Sequence, residues 1–401
     1  MEIPAKPSVR AGAGYFALIF RVLEWTRFGR LRVILPDGSE HDFQGGEPGP
    51  SAEIQFRNHR ILRRMLTNGS NGFAEGYLAG EFETPDLAAL LELGARNEDA
   101  WGNFFTRTRM LAGLHRLVHV LRPNSKRGAR QNISHHYDLG NSFYSAWLDR
   151  SLTYSSAVFD KADQPLEAAQ SNKYANLAAL GGLKPGDHVL EIGCGWGGFA
   201  LHAAKSLGCR VTGLTISREQ YDHAKARVVD EGLQDRVEIR LQDYRDTQGV
   251  FDRVVSIEMF EAVGERYWDP FFRKLNEVLR PDGTAALQVI TIAEDAWPSY
   301  RRSADFIQRY IFPGGILPPR RALVERAQSA GLAWLSDKGY GAHYARTLAL
   351  WHQRFCEAWP EIGRLGFDDR FRRMWRYYLA YCEAGFRSGR IDVLQMALRR
   401  P

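Results

Sequence analysis

Residues 189–198 read Val-Leu-Glu-Ile-Gly-Cys-Gly-Trp-Gly-Gly, an apolar stretch running into a glycine turn. Gly193, Gly195 and Gly198 satisfy the GxGxxG spacing that lets backbone N–H groups approach a nucleotide-derived ligand. Holding NAD also requires a carboxylate ~20 residues further on, at the end of the second strand, for a ribose hydroxyl. The next apolar run ends in Leu214, Thr215, Ile216 and Ser217. None is acidic, so the NAD reading fails. Glu191 instead stands inside the strand, two residues before Gly193, in the manner of an S-adenosylmethionine (SAM) loop. The candidate cofactor contacts of this loop are Glu191, Gly193, Cys194 and Gly195. Asp243 follows a third apolar run, where its carboxylate could accept the adenine amino group, with Gln242 and Tyr244 beside it. The competing reading is a structural glycine turn with an unrelated acidic loop.

These residues need a scaffold of alternating strands and helices. Short apolar runs predict strands over 188–192, 210–214, 236–241, 251–257 and 284–292. Helical spacing predicts helices over 197–206, 217–231 and 268–279, the last closed by Arg280-Pro281-Asp282-Gly283. Such alternation implies a doubly wound, mostly parallel α/β sheet of Rossmann-like type. After Ile292 the chain reads as helical and aromatic, with main helices over 340–359 and 368–387. Upstream, a strand over 31–34 enters a Pro36-Asp37-Gly38 turn. Helices over 58–66 and 85–95 flank a loop at 68–72, which suggests a small α+β domain over residues 1–99.

Between these parts, residues 100–131 carry seven basic side chains and no acidic ones, interleaved with apolar residues at helical intervals. Such a segment suits a basic amphipathic helix lying on an anionic membrane surface, or an interdomain helix with a solvated face. The catalytic domain would then occupy 132–401. The 401 residues carry a net charge of +6 and 44% hydrophobic residues, a globular balance that permits anionic partners without naming one. Four scattered cysteines without a CxxC pair argue against a zinc site or a disulfide framework, and fit a cytoplasmic location. The apolar stretch 15–23 is interrupted by Arg21 and is shorter than the ~20 residues of a membrane span. It does not read as a signal peptide.

Several ordered motifs carry a resemblance. They are 135–141 (His-His-Tyr-Asp-Leu-Gly-Asn), 152–157 (Leu-Thr-Tyr-Ser-Ser-Ala), the 191–198 loop, 214–217 with Gln220, 310–315 (Tyr-Ile-Phe-Pro-Gly-Gly), Arg346-Thr347-Leu348 and Trp359-Pro360-Glu361. From about residue 131 onward the chain resembles the cyclopropane fatty acid synthase family, and its N-terminal part resembles that family's accessory domain only loosely. The resemblance implies a class I SAM-dependent methyltransferase acting on double bonds in phospholipid acyl chains. It implies cofactor contacts from Tyr154 and Ser155, with Thr215 and Gln220 holding the ribose; with the basic segment 100–131, a lipid substrate suggests peripheral association with the inner face of the membrane.

An alkene is a weak nucleophile, so the sulfonium methyl must be held in line with its π face in a dry site. Attack leaves a carbocation, which aromatic faces stabilise, and a base must then remove a proton. Loss from the transferred methyl closes a cyclopropane ring; loss from a chain carbon leaves a methyl-branched or methylene alkene. The resemblance implies bicarbonate as the base, held by Cys, Glu, His and Tyr. Glu261 and Tyr344 match two of those positions. Ser156 stands at the Cys position, Ile290 at the His position, and Glu258 replaces a glycine. Two openings follow: bicarbonate held by Ser156, Glu261, Tyr344 and backbone amides, or, with the extra carboxylate of Glu258 in the site, a different proton removal whose product is not a ring. Glu258 could equally cap a helix or pair with an arginine.

Phe260 and Tyr344 are the candidate cation neighbours, and Trp297, Tyr300, Phe306, Tyr310 and Phe312 candidate walls of an acyl channel. Two other functions compete: N-methylation of a small amine, and lipid binding without catalysis. No substrate-base motif accompanies the loop, so nucleic acid is not an expected partner. A homodimer is compatible with the sequence but not specified by it.

Overall fold

The computed structural model describes residues 16–101 and 139–401, which fall into two compact units. The basic segment beyond residue 101 and the histidine pair His135 and His136 lie outside the described residues.

In the first unit, β1 (Phe28–Ile34), β2 (Glu40–Gln44), β3 (Glu47–Phe56) and β4 (Phe82–Glu83) form a sheet in the order β2-β1-β3-β4, with β1 and β3 parallel. The Pro36-Asp37-Gly38 turn joins β1 to β2, and Asp37 accepts the Ser39 N–H there at 3.0 Å. The loop expected at 68–72 is instead a kink within one helix, Arg60–Leu78. Only Gly69 leaves helical geometry, at φ 56°, so the polar run bends the helix without ending it.

The helix Leu87–Arg96 begins at an Asp86 cap and ends at Asn97, whose side chain is fully buried. Asn97 Oδ1 accepts the N–H groups of Arg27 and Phe28, while its Nδ2 donates to the carbonyls of Phe28 and Leu93. This one side chain fastens the end of the helix to the start of β1. The helix Asp369–Arg387 also belongs here, packing on Arg60–Leu78 and Leu87–Arg96, although the sequence reading kept it within 132–401. Its apolar stripe includes Trp375, Tyr378 and Leu379, and Arg373 lies over the Tyr77 ring at 4.2 Å while bonding Glu83 at 2.9 Å.

The second unit is built on seven strands: β5 (His188–Ile192), β6 (Arg210–Thr215), β7 (Val237–Leu241), β8 (Phe251–Ile257), β9 (Leu279–Ile292), β10 (Ala333–Gly339) and β11 (Ile391–Arg399). Their order is β10-β11-β9-β8-β5-β6-β7. The pairs β5–β6, β6–β7, β5–β8 and β8–β9 are parallel, as the sequence predicts for a doubly wound sheet. β10 and β11 are antiparallel additions in a stretch that reads as helical. β11 lies between β9 and β10 with a nearly continuous run of buried residues, so it lacks the alternation that marks a half-exposed strand.

Strand order reverses beside β5, since β6 and β8 flank it on opposite sides. In open α/β sheets the carboxyl ends of the strands at such a switch are the usual ligand position. Among the described residues no helix is long and apolar enough to cross a membrane.

Replacing Asn97 by Ala removes four hydrogen bonds and leaves backbone groups of the Arg27–Phe28 segment unsatisfied. The expected cost is about 2–3 kcal/mol, measured as a lower urea midpoint for the first unit.

Candidate active site

Every strand of the parallel set from β5 to β8 delivers a predicted site residue at its carboxyl end. β5 ends in Glu191 and the glycine turn, β6 in Thr215, β7 just before Gln242–Tyr244, and β8 just before Glu258–Glu261. The turn adopts left-handed geometry at Gly193 (φ 84°) and Gly195 (φ 52°). A Cβ on Gly193 would strike the Met259 side chain at 2.8 Å, whereas one on Gly195 would meet no protein atom within 4 Å. The backbone at Gly195 therefore faces open space, and a side chain there would fill a cradle. Trp196 anchors the turn by donating Nε1–H to Asn141 Oδ1 at 2.7 Å, and Arg227 donates to the Trp196 carbonyl at 2.9 Å. Asn141 belongs to the 135–141 motif.

Around this turn, the Thr215 hydroxyl donates to Gln220 Oε1 at 2.8 Å, which leaves the Gln220 amide NH2 as its donor end. Ser217 caps the following helix through the Gln220 N–H. The buried Asp243 carboxylate is engaged by Arg245, whose Nε and Nη2 reach Oδ1 and Oδ2 at 2.9 and 2.6 Å. Arg245 thus forms a bidentate, charge-assisted pair with the carboxylate. Next to Asp243, Gln242 donates its N–H to the Thr215 carbonyl at 2.9 Å. Tyr244 packs edge-on against Phe271, and burial pushes its hydroxyl pKa up. The Tyr154 ring sits among Tyr144, Trp147 and Trp351, at centroid distances of 5.4, 5.7 and 5.4 Å.

Deeper in the unit lies a cation that the sequence reading missed. Lys173 is fully buried on the helix Leu166–Leu180 and donates Nζ–H to Ser155 Oγ at 2.6 Å. Burial pushes its pKa down to about 7, opposed by Glu258, Asp149 and Glu191. Burial likewise pushes Glu191 up to about 8, opposed by Lys173 and a backbone hydrogen bond from Ala200. Glu191 Oε2 is buried with no hydrogen-bond partner among the described residues. The available signal was position: Lys173 falls on the buried stripe Leu166, Ala169, Gln170, Tyr174 and Leu177, where a charge is costly without partners.

Glu258 and Glu261 form the second half of the site, and among the described residues neither caps a helix nor pairs with an arginine. Glu258 Oε1 accepts the Ser156 N–H at 2.8 Å and the Gln288 Nε2–H at 2.7 Å, and its Oε2 accepts the Tyr344 hydroxyl at 2.6 Å. Gln395 donates to Gln288 Oε1 at 2.9 Å and so turns the Gln288 NH2 toward Glu258. Glu258 also has left-handed backbone (φ 48°), which costs a non-glycine residue about 1 kcal/mol or more. Glu261 Oε1 accepts the Ile290 N–H, while Oε2 is buried with no hydrogen-bond partner among the described residues. Burial, and then the Glu258 charge, push Glu261 up to about 8. Burial raises Glu258 as well, but its three donors favour the carboxylate form, whereas Glu261 has one donor and the Glu258 charge against it.

The structure also places Ser156 and Phe260. Ser156 joins the cluster through its N–H, because its hydroxyl donates to the Ala157 carbonyl at 3.1 Å. Phe260 is a core residue, enclosed by Trp268, Phe271 and Phe272 with centroids 5.0–5.7 Å away, so its ring is no cation neighbour. The 310–315 motif enters through a π-helical turn, Ile307–Ile311, and the Ile316 N–H donates to the Glu261 carbonyl at 2.9 Å.

Residues 124–396 match the family of mycolic acid cyclopropane synthetases. The chain belongs to that family. It is 40% identical over its whole length to tuberculostearic acid methyltransferase UfaA1 of Mycobacterium tuberculosis, covering 94% of that protein. It is 38% identical over 87% of its length to the cyclopropane-fatty-acyl-phospholipid synthase of Escherichia coli, covering 88% of it. The solved mycolic acid cyclopropane synthase CmaA1, complexed with SAH and CTAB, aligns with 67% of this chain and 98% of its own, at 31% identity and a TM-score of 0.64. This family member is therefore a SAM-dependent methyltransferase on a Rossmann-like α/β fold. Its residues fit the cofactor: the turn at Gly195 is open, and the Glu191 oxygen without a partner among the described residues belongs to β5, the strand that leads into that turn.

Gly195→Ala places a methyl group in that open space on a backbone with positive φ. The expected result is SAM binding weakened about tenfold or more, a loss of roughly 1.4 kcal/mol, by isothermal titration. The raised carboxyl groups also give a signed pH dependence. Glu191 and Glu261 hold protons up to about pH 8 in the folded chain, against 4.5 when unperturbed. Their contribution is full below pH 4.5 and is lost as pH rises through about 8, so stability falls across that window. Lys173 acts in the opposite sense, but only above about pH 7. Glu261→Gln is expected to flatten the fall, measured by urea unfolding at a series of pH values.

Proposed function

We propose that this enzyme transfers the methyl group of SAM to a double-bond carbon of an unsaturated fatty acyl chain carried by a phospholipid. The supporting observation is the near end-to-end similarity to two relatives whose names specify fatty acyl chemistry, at 40% and 38% identity. When bound, SAM supplies an electrophilic sulfonium methyl group.

The chain's own residues supply the rest. The glycine turn and Glu191 hold the aminoacyl end, Thr215 and Gln220 the ribose, and Gln242, Asp243 and Tyr244 the adenine. Tyr154 and Ser155 close the other side. A carbocation formed on the acyl chain needs a low-water surrounding and a nearby negative charge. The buried Glu258 carboxylate and the Tyr344 ring meet that need, with Glu261 neutral beside them. Trp297, Tyr300, Phe306, Tyr310 and Phe312 lie on the segment after β9 and are the proposed acyl walls; Phe306 is itself almost fully buried. Access to the lipid would come from peripheral contact with an anionic inner membrane face, supported by the basic composition of residues 100–131.

The test incubates purified enzyme with SAM and vesicles of monounsaturated phospholipid, followed by mass spectrometry and NMR of the lipids. A SAM-dependent gain of one CH2 per modified chain is expected. Upfield ring protons would mark ring closure, and a retained alkene with a new methyl or methylene signal would mark proton loss from a chain carbon. Absence of any mass gain while SAM binds would overturn the lipid substrate in favour of a soluble amine.

A further inference from the structure

The relay of donors onto Glu258 bears on a step that methyl transfer to an alkene leaves unfinished, the removal of a proton. The resemblance points to bicarbonate for that task. The residues present do not fit a bound anion. Ser156 N–H, Gln288 Nε2–H and Tyr344 O–H all end on the Glu258 carboxylate. At the position expected to hold a histidine, Ile290 offers only its backbone N–H, already given to Glu261. The Ser156 hydroxyl is directed at a main-chain carbonyl. A second anion placed here would meet the Glu258 charge at close range in a buried site, which is strongly unfavourable.

We infer that the Glu258 carboxylate is the proton acceptor of the reaction, a base built into the chain that takes the place of an exogenous anion. This rests on the acyl-chain reading above. Among the described residues Oε1 is engaged by two donors and Oε2 by one, which leaves a lone pair on Oε2. The alkene π pair forms the bond to the methyl carbon, and the S–CH3 pair leaves with sulfur. The resulting cation then loses a proton to Glu258 Oε2, and the C–H pair becomes the new π bond or ring bond. Among the described residues, Lys173 from the Leu166–Leu180 helix, Tyr344 from the Gly341–Glu357 helix and Glu261 from the loop after β8 are the titratable groups whose fields or hydrogen bonds reach Glu258. Burial raises the Glu258 pKa, which makes it the stronger base. The left-handed backbone at Glu258 is consistent with this role: the fold retains an unfavourable conformation at the residue whose carboxylate receives the Ser156, Gln288 and Tyr344 donors.

The experiment measures turnover on monounsaturated phospholipid vesicles in CO2-free buffer, with and without added bicarbonate, together with binding of 13C-bicarbonate by NMR. The wild-type rate is expected to stay unchanged on addition, with no bound 13C signal. Glu258→Gln is expected to lose about 100-fold or more in kcat while SAM affinity by titration calorimetry is kept. Glu258→Gly accepts the positive φ without strain and guards against a folding defect. It is expected to be equally slow, and to regain rate and bind 13C-bicarbonate when the anion is added. A wild-type rate that rises several-fold with bicarbonate, or a Glu258→Gln enzyme close to wild-type speed, overturns the inference and leaves the acyl-chain reading standing. Wild-type enzyme that binds SAM but methylates no lipid overturns that reading and this inference with it.

Discussion

A carboxylate taken out of water must be met by donors, and at Glu258 that requirement gathers the second unit around one side chain. Its three donors come from the segment before the first site helix, from β9 and from the Gly341–Glu357 helix, parts of the chain separated from it by 30 to 102 residues in sequence. β11 adds a fourth part, because Gln395 fixes which end of the Gln288 amide faces the carboxylate. Each of these segments is held in position by the same buried charge, and an unmet carboxylate would be costly enough to displace them. The neutral state of Glu261 is a second consequence, since one ionised group at this depth disfavours another.

The cofactor half of the site was legible because its signals are local. A glycine turn after an apolar strand, an acidic residue inside that strand and an acidic loop after the third strand all fall within short windows. The five parallel strands were legible for the same reason, each being a short apolar run bounded by turn residues. What escaped was set by tertiary context. β11 is covered on both sides and so loses the alternation that identifies a strand. Gly69 looked like part of a loop because the residues around it are polar, yet the flanking turns remain helical.

The catalytic half was partly legible. Glu258, Glu261, Ser156 and Tyr344 were singled out by resemblance, and the structure joins Ser156 and Tyr344 to Glu258 by hydrogen bonds, with Glu261 close enough to feel its charge. Ser156 contributes a backbone group that any residue except proline could supply. Lys173, Gln288 and Gln395 carry no motif at all. Their importance comes from being polar where the surroundings are apolar, which only the fold makes visible. Phe260 shows the converse: a residue inside a motif can be there for packing.

The path of the chain through the two units has its own consequence for synthesis. Some way after β10 the polypeptide leaves the second unit, lays down the Asp369–Arg387 helix in the first, and returns as β11. On the ribosome, therefore, β9 remains an unpaired sheet edge and the first unit lacks one of its helices until this last stretch has been made. A nascent chain in that state exposes both an edge strand and an apolar helix-binding face. The two units are thus tied in time, and a polypeptide severed between them along the sequence would leave the first missing a helix that the C-terminal piece encodes.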